Sequence, residues 1–307
     1  VGVALLFPGQ GSQTVGMGRD VYEASPAARR LFDEADRILG FALSRLCFEG
    51  PEEILTRTEN AQPAIFVTSL ACLAAAREAG GLRIPDGVRF MAGHSLGEYT
   101  ALVAAGALDF EAGLKLVRER GRLMQAASEA VPSGMAAVLG LEEAALAEIC
   151  AETGVEIANY NGPGQIIISG PRPALERAAE LARQRGARRV IPLNVSGAFH
   201  SRVMAPAAEG LRPLVDATEF RPARVPVIAN VTARPIVTPE EIRAELREQI
   251  LRPVRWHQSM EYIIGQGVRR FVELGPGRVL TGLLRRIDAG VEAVAVEGLA
   301  ALSQLGS

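Results

Sequence analysis

Gly93-His94-Ser95-Leu96-Gly97 lies between an apolar run, Val88, Phe90, Met91 and Ala92, and an Ala/Leu/Val-rich segment, Glu98 to Leu108, with helical spacing. The pattern predicts strand, tight turn, helix. A serine with glycines two residues before and two after it, at that junction, is a nucleophile elbow: the backbone is strained, and the hydroxyl is pushed out beyond the sheet edge. The N–H of Leu96 and the positive end of the following helix then face any oxyanion that forms beside Ser95. The five-residue pattern also arises by chance in a glycine-rich chain as a plain turn, and it is the strand–turn–helix context that favours the nucleophile.

Outward from the elbow, Val3 to Phe7 reads as a buried strand stopped by Pro8, and Gly9-Gln10-Gly11-Ser12-Gln13 as a glycine-rich loop. Neither phosphate fingerprint fits: Thr14 stands where the dinucleotide motif needs glycine, and Met17 stands where the Walker motif needs lysine. Gln10 is a candidate second oxyanion donor, with a simple turn the equal alternative. Ala27 to Leu39 and Ala64 to Ala79 read as packing helices, separated by a looser acidic loop around Glu49 to Glu59. Between Ser133 and Leu193 the rhythm changes to β-α-β-β-α-β, with a hairpin through Gly162-Pro163-Gly164, which is a split βαβ unit able to form its own sheet. Strands are expected again at Val225 to Val231 and Val268 to Leu274, with helices at Pro239 to Leu251 and Val279 to Ile287. The fold class is α/β, its larger part an open, mostly parallel sheet covered by helices on both faces.

Two further side chains carry candidate chemistry. On the helix Leu114 to Met124, Lys115, Arg118, Glu119 and Arg122 share a polar face, whereas Arg120 falls among Leu116, Val117, Gly121 and Met124. A guanidinium does not deprotonate, so in an apolar face it needs acceptors. Either a salt bridge to a core carboxylate or a substrate clamp would supply them. Of the three histidines, His94 is expected to point to the opposite face from Ser95, by strand alternation. His257, after Trp256 near a helix start, reads as a surface or packing histidine. His200, in the small-residue loop Ser196-Gly197-Ala198-Phe199-His200-Ser201, is the candidate general base. No aspartate lies between Asp109 and His200, so a hydrolase triad is hard to assemble, and a histidine oriented by a neutral oxygen fits better.

Bulk properties narrow the partners. The 307 residues are 48% hydrophobic and 22% charged with a formal net charge of −2, so nothing favours nucleic acid or a membrane surface. Cys47, Cys72 and Cys150 have no metal-ligand or redox spacing and suit a reducing compartment. The first residues lack a signal peptide's basic flank, no apolar run reaches membrane-spanning length, and a cytoplasmic protein is expected.

The residues resemble the malonyl-CoA:acyl carrier protein transacylases of type II fatty acid synthesis and the related polyketide acyltransferase domains. The likeness spans Phe7-Pro8-Gly9-Gln10-Gly11-Ser12-Gln13, Ala61-Gln62-Pro63-Ala64, Gly93 to Tyr99, Arg120, Gly197 to Ser201, Asn230-Val231-Thr232 and Glu273-Leu274-Gly275-Pro276-Gly277. It implies a discontinuous hydrolase-like large domain (1–128 and 197–307) interrupted by a small ferredoxin-like subdomain (129–196). It also implies Ser95 as acylated nucleophile, His200 as base, Arg120 as partner of the malonyl carboxylate, and Gln10 with Leu96 as oxyanion donors. Gln249 matches the position whose backbone oxygen orients the histidine, Gln62 joins the substrate-binding set, and Phe199 accompanies malonyl in preference to branched units. The expected partners are malonyl-CoA as substrate and acyl carrier protein as acceptor, with no cofactor and no metal. Arg185, Arg188, Arg189, Arg278 and Arg285 are expected to meet an acidic carrier.

Overall fold

The computed structural model describes residues 2–80 and 86–305. Its strands are, in chain order, β1 (Val3–Phe7), β2 (Val88–Gly93), β3 (Ser133–Leu139), β4 (Glu156–Gly162), β5 (Gln165–Pro171), β6 (Arg189–Pro192), β7 (Val227–Ile228), β8 (Pro235–Ile236), β9 (Arg270–Leu274) and β10 (Glu292–Val296). One sheet runs β10-β9-β1-β2-β7-β8, parallel throughout except for the β7–β8 hairpin at its edge. Both faces are covered, and the central strands divide their side chains by alternation. Leu5, Phe7, Met91, Val272 and Leu274 pack into a core with the helices Thr58–Glu78 and Phe110–Ala130, whereas Ala4, Leu6, Phe90, Ala92 and Phe271 pack against Trp256–Gly265 and Val279–Ile287.

The second sheet is antiparallel, ordered β4-β5-β3-β6, the ferredoxin-like arrangement of a βαββαβ unit. Alternation again decides its two faces. Ala136, Val138, Ile166 and Ile168 are buried against the helices Glu143–Thr153 and Arg172–Gln184, while Met135, Ala137 and Ile167 turn toward the large sheet. The edge strand β4 is stitched to the larger part by Val254, whose N–H donates to Ala158 O (2.8 Å) and whose carbonyl accepts from Tyr160 N (2.9 Å). The free face of the small sheet is thereby held over the end of β2.

Three local expectations need correction. The acidic stretch 49–59 is not a loop: it ends one short helix (Leu43–Glu49), contains another (Glu52–Leu55), and opens the long helix Thr58–Glu78. That helix starts six residues before Ala64 and contains Pro63. Proline lacks the N–H that would bond the carbonyl four residues back, and the Arg118 guanidinium donates to that carbonyl, Glu59 O, instead. The strand expected over Val225 to Val231 shrinks to Val227–Ile228. Beyond it Ala229 and Arg234 close a turn, with Ala233 at φ 54°, which brings Asn230 back to the elbow. Strand β10 was not anticipated, and the helix Trp256–Gly265 was anticipated only as a start near His257.

Candidate active site

Ser95 sits at φ 51°, ψ −108° between the end of β2 and the helix Leu96–Ala104. That strain is sterically enforced: a Cβ at Gly93 would collide with the Gly97 carbonyl, and one at Gly97 with the Phe7 carbonyl. The turn is pinned from outside by Asn230, whose Oδ1 accepts from Ser95 N (2.7 Å) and whose Nδ2 donates to Gly93 O (2.7 Å). The Leu96 N–H is the first of the helix, among the N–H groups that a helix leaves without an internal partner. The left-handed kink also breaks strand alternation, and this corrects the expectation for His94. Its ring lines the same cavity as Ser95, with Nε2 2.9 Å from Asn161 Oδ1.

His200 is buried, itself at φ 56°, with Nε2 2.8 Å from Ser95 Oγ. Its Nδ1 lies 3.0 Å from both Gln249 O and Arg252 O. Carbonyls only accept, so Nδ1 carries the hydrogen and Nε2 presents its lone pair to the serine hydroxyl. Those carbonyls are available because the helix Pro239–Glu248 ends just before them, and its negative end faces the ring. Burial, then the charge of Arg120, pull His200 down to about 3, so it is neutral and able to accept a proton at pH 7.

Arg120 is buried, 1% exposed, on the helix Phe110–Ala130. Of its two expected settings, the salt bridge is absent: among the described residues no carboxylate lies within 4.0 Å of it. It donates to neutral acceptors, through Nη1 to Gln62 Oε1 (2.9 Å) and through Nη2 to Ser95 Oγ and Gln249 Oε1 (3.0 Å each), while its Nε has no partner among them. A buried guanidinium without a counter-ion at contact is a standing site for an anion.

Gln10 lines the cavity, and its side chain donates to Thr58 Oγ1 (3.0 Å), which in turn lies 2.9 Å from Ser196 Oγ, so the glycine-rich loop is tied across to the His200 loop. Gln62 stays behind Arg120, with Nε2 donating to Met124 Sδ (3.2 Å). Gln249 uses its backbone for His200 and its carboxamide for Arg120 and Ser95 O (2.9 Å). All seven candidate residues therefore converge on one centre. The cavity above it is about 240 Å³. Its walls are Met135, Ala137 and Ile167 from the small sheet, Phe199 beside His200, and Val279, Leu280 and Leu283 from the helix Val279–Ile287. That helix is seated by buried Glu273, which accepts from Leu280 N, Thr281 N and Thr281 Oγ1.

Sequence reasoning overlooked Asn230 and Glu98 as neighbours of the elbow and Arg252 as a second carbonyl for His200. Asn230 stood within a quoted motif, and an asparagine ending a buried strand was the available signal; a backbone carbonyl leaves none.

The chain matches the family model described as the acyl transferase domain over residues 4–302. It is 50% identical over 302 residues to the malonyl CoA-acyl carrier protein transacylase of Bacillus subtilis strain 168, with 96% of this chain and 93% of that one covered. Among solved structures, the acyl-carrier-protein-S-malonyltransferase from Bartonella henselae superposes with a TM-score of 0.95 at 43% identity, covering 100% of both chains. A malonyl-transacylase solved in complex with its type II polyketide acyl-carrier protein has a TM-score of 0.94 at 41% identity, with 99% of each chain covered.

Proposed function

Because the chain belongs to the acyl transferase family, we propose that its cavity passes a malonyl group from coenzyme A to the phosphopantetheine thiol of acyl carrier protein, by way of an ester on Ser95. The observation that carries this reading is the meeting of Ser95 Oγ with His200 Nε2 (2.8 Å) and Arg120 Nη2 (3.0 Å) in one apolar cavity. His200 Nε2 takes the Ser95 proton as Oγ attacks the thioester carbonyl. The Leu96 and Gln10 N–H groups hold the resulting oxyanion, and as the C–S bond breaks the imidazolium returns its proton to the coenzyme A thiolate. The carrier thiol then gives its proton to His200 and attacks the ester, and Ser95 leaves with that proton. Arg120, planar and able to bind bidentately, receives the free carboxylate throughout, with Gln62 and Gln249 behind it. No step calls on a cofactor, and coenzyme A is only the donor thioester. The division into a large part, 1–128 with 197–307, and an inserted part, 129–196, belongs to this reading, as does a cytoplasmic setting; among the described residues no helix is long and apolar enough to cross a membrane.

Incubation with malonyl-CoA and no acceptor is expected to leave one malonyl group on Ser95, detected by intact mass and peptide mapping, and carrier protein is expected to discharge it. Steady release of coenzyme A without a lasting adduct would instead mark a thioesterase.

The structure divides the arginines expected at the carrier surface. Arg185 is engaged within the small sheet's helices by Glu148 (2.8 Å) and Glu152 (3.3 Å), and Arg278 by Glu297. Arg188 and Arg189 instead border a surface hollow with Arg286, which donates to Gln165 Oε1 (2.7 Å), and Gln165 also lines the catalytic cavity. Reversal of charge at Arg188 and Arg189 together is expected to raise KM for the carrier about tenfold at low salt, and reversal at Arg185 less. Acylation from malonyl-CoA should keep its rate; equal effects at all three positions would refute the assignment.

A further inference from the structure

Beside the elbow, two neighbouring carboxyl groups are almost wholly shut off from solvent. Glu98, in the first turn of the helix Leu96–Ala104, is fully buried, and Glu245, on the helix Pro239–Glu248, is 6% exposed. Glu98 Oε2 accepts from Gln249 Nε2 at 2.6 Å and Oε1 from Asn230 N at 3.2 Å; Glu245 Oε1 accepts from Val231 N at 2.9 Å. Burial, and for Glu98 next the charge of Glu245, push the two carboxyl groups up, Glu98 well above the usual carboxylate range and Glu245 to about 7. Nothing in the transfer chemistry uses either residue.

The geometry says what they act on. Arg120 can only donate, so the Gln249 atom facing it is Oε1; Ser95 O can only accept, so the atom facing it is Nε2. The remaining Nε2 hydrogen meets Glu98. The result is a chain from Glu98 through the Gln249 carboxamide to Arg120 Nη2 and so to Ser95 Oγ. An acceptor for the buried Asn230 N–H, in the turn after β7, would be a sufficient structural reason for a polar group at position 98, but that bond is the longer of the two. The shorter one goes to the side chain that places the guanidinium.

We propose that Glu98 is a positioning residue for the acyl carboxylate: it holds the Gln249 carboxamide so that the carboxamide holds Arg120. This rests on the reading that Arg120 receives the malonyl carboxylate. Glu98 acts on charged acyl groups through Arg120, and neutral acyl groups, which bring no carboxylate to the guanidinium, depend on it far less.

The test compares malonyl-CoA with acetyl-CoA as donors, by steady-state kcat and KM and by labelling of Ser95 with a neutral sulfonyl fluoride to count folded, reactive enzyme. Glu98→Met removes the acceptor and is expected to lower kcat/KM for malonyl-CoA about 30-fold, chiefly through KM, and that for acetyl-CoA less than about threefold, as befits loss of a charge-assisted hydrogen-bond relay. Glu98→Gln keeps an oxygen for Gln249 and gives up only the longer bond from Asn230 N, and it is expected to recover malonyl transfer to within about threefold of the parent. Should Glu98→Met not fold, Glu98→Asp keeps the acid but falls one carbon short of Gln249, and the same fall in the malonyl-to-acetyl ratio is expected. An unchanged ratio in the folded variant, or Glu98→Gln as impaired as Glu98→Met, overturns the proposal. Arg120→Ala measured alongside separates the two levels. If it leaves the ratio unchanged, the reading of Arg120 fails; if it lowers the ratio and the Glu98 variants do not, only the role of Glu98 fails.

Discussion

Replacing His200 with alanine is expected to slow the acylation of Ser95 and its discharge to carrier alike, by about 10³–10⁴-fold. One imidazole serves both half-reactions, because its Nε2 faces Ser95 Oγ at 2.8 Å and its Nδ1–H is spent on Gln249 O and Arg252 O. Residual turnover should survive, since the oxyanion N–H groups and Arg120 remain. Single-turnover rates of adduct formation and loss, followed by mass, measure the two halves separately, and a half-reaction that kept its parent rate would remove His200 from it. The same residue leaves a thermodynamic signature. Burial, with the Arg120 charge, lowers its pKa in the folded state from the ordinary 6.5 to about 3, so the unfolded chain binds the proton more readily. The contribution to stability is therefore complete above pH 6.5 and is lost as pH falls toward 3. The Tm advantage of the parent over His200→Ala is expected to shrink across that window.

What could be read from the sequence follows from how local each signal is. The elbow needs two glycines because backbone approaches backbone within five residues, and that constraint leaves its mark in those five letters. Arg120 shows itself by interrupting an apolar helical face, which is again local, but its surroundings are not. Whether it would meet a carboxylate or neutral acceptors depended on Gln62 and Gln249, which lie 58 and 129 positions away and meet it only once the sheet is assembled. His200 could be ranked above His94 and His257, yet the argument from strand alternation misplaced His94, because the kink that exposes Ser95 also turns its neighbour. The small sheet was legible as a βαββαβ order because each strand carries its own period. Its position over the cavity was not, since that rests on backbone bonds between Val254 and β4 that any residue could make. The short β7 and the turn that returns Asn230 to the elbow likewise lie outside the reach of hydropathy patterns.

Arg120→Ala is expected to reverse the choice of acyl group: kcat/KM for malonyl-CoA should fall by about 10²–10³-fold, while acetyl-CoA and other neutral donors are accepted as well as before or better. The asymmetry follows from desolvation. A malonyl carboxylate entering a cavity walled by Met135, Ala137, Ile167 and Leu283 loses its water, and the Arg120 guanidinium is the cation in place to replace it. A neutral acyl group loses nothing when the guanidinium is gone and gains the room it filled. Two further effects should accompany the change. Arg120 is the second cause, after burial, that holds the His200 proton affinity down, so its removal raises His200 and moves the acid limb of acetyl transfer to higher pH. The malonyl ester, no longer held by its carboxylate beside Ser95 Oγ, should also admit water and hydrolyse faster without an acceptor. An Arg120→Ala enzyme with the parent's acyl-CoA profile and an unshifted acid limb would show that the buried guanidinium belongs to the core and not to the substrate.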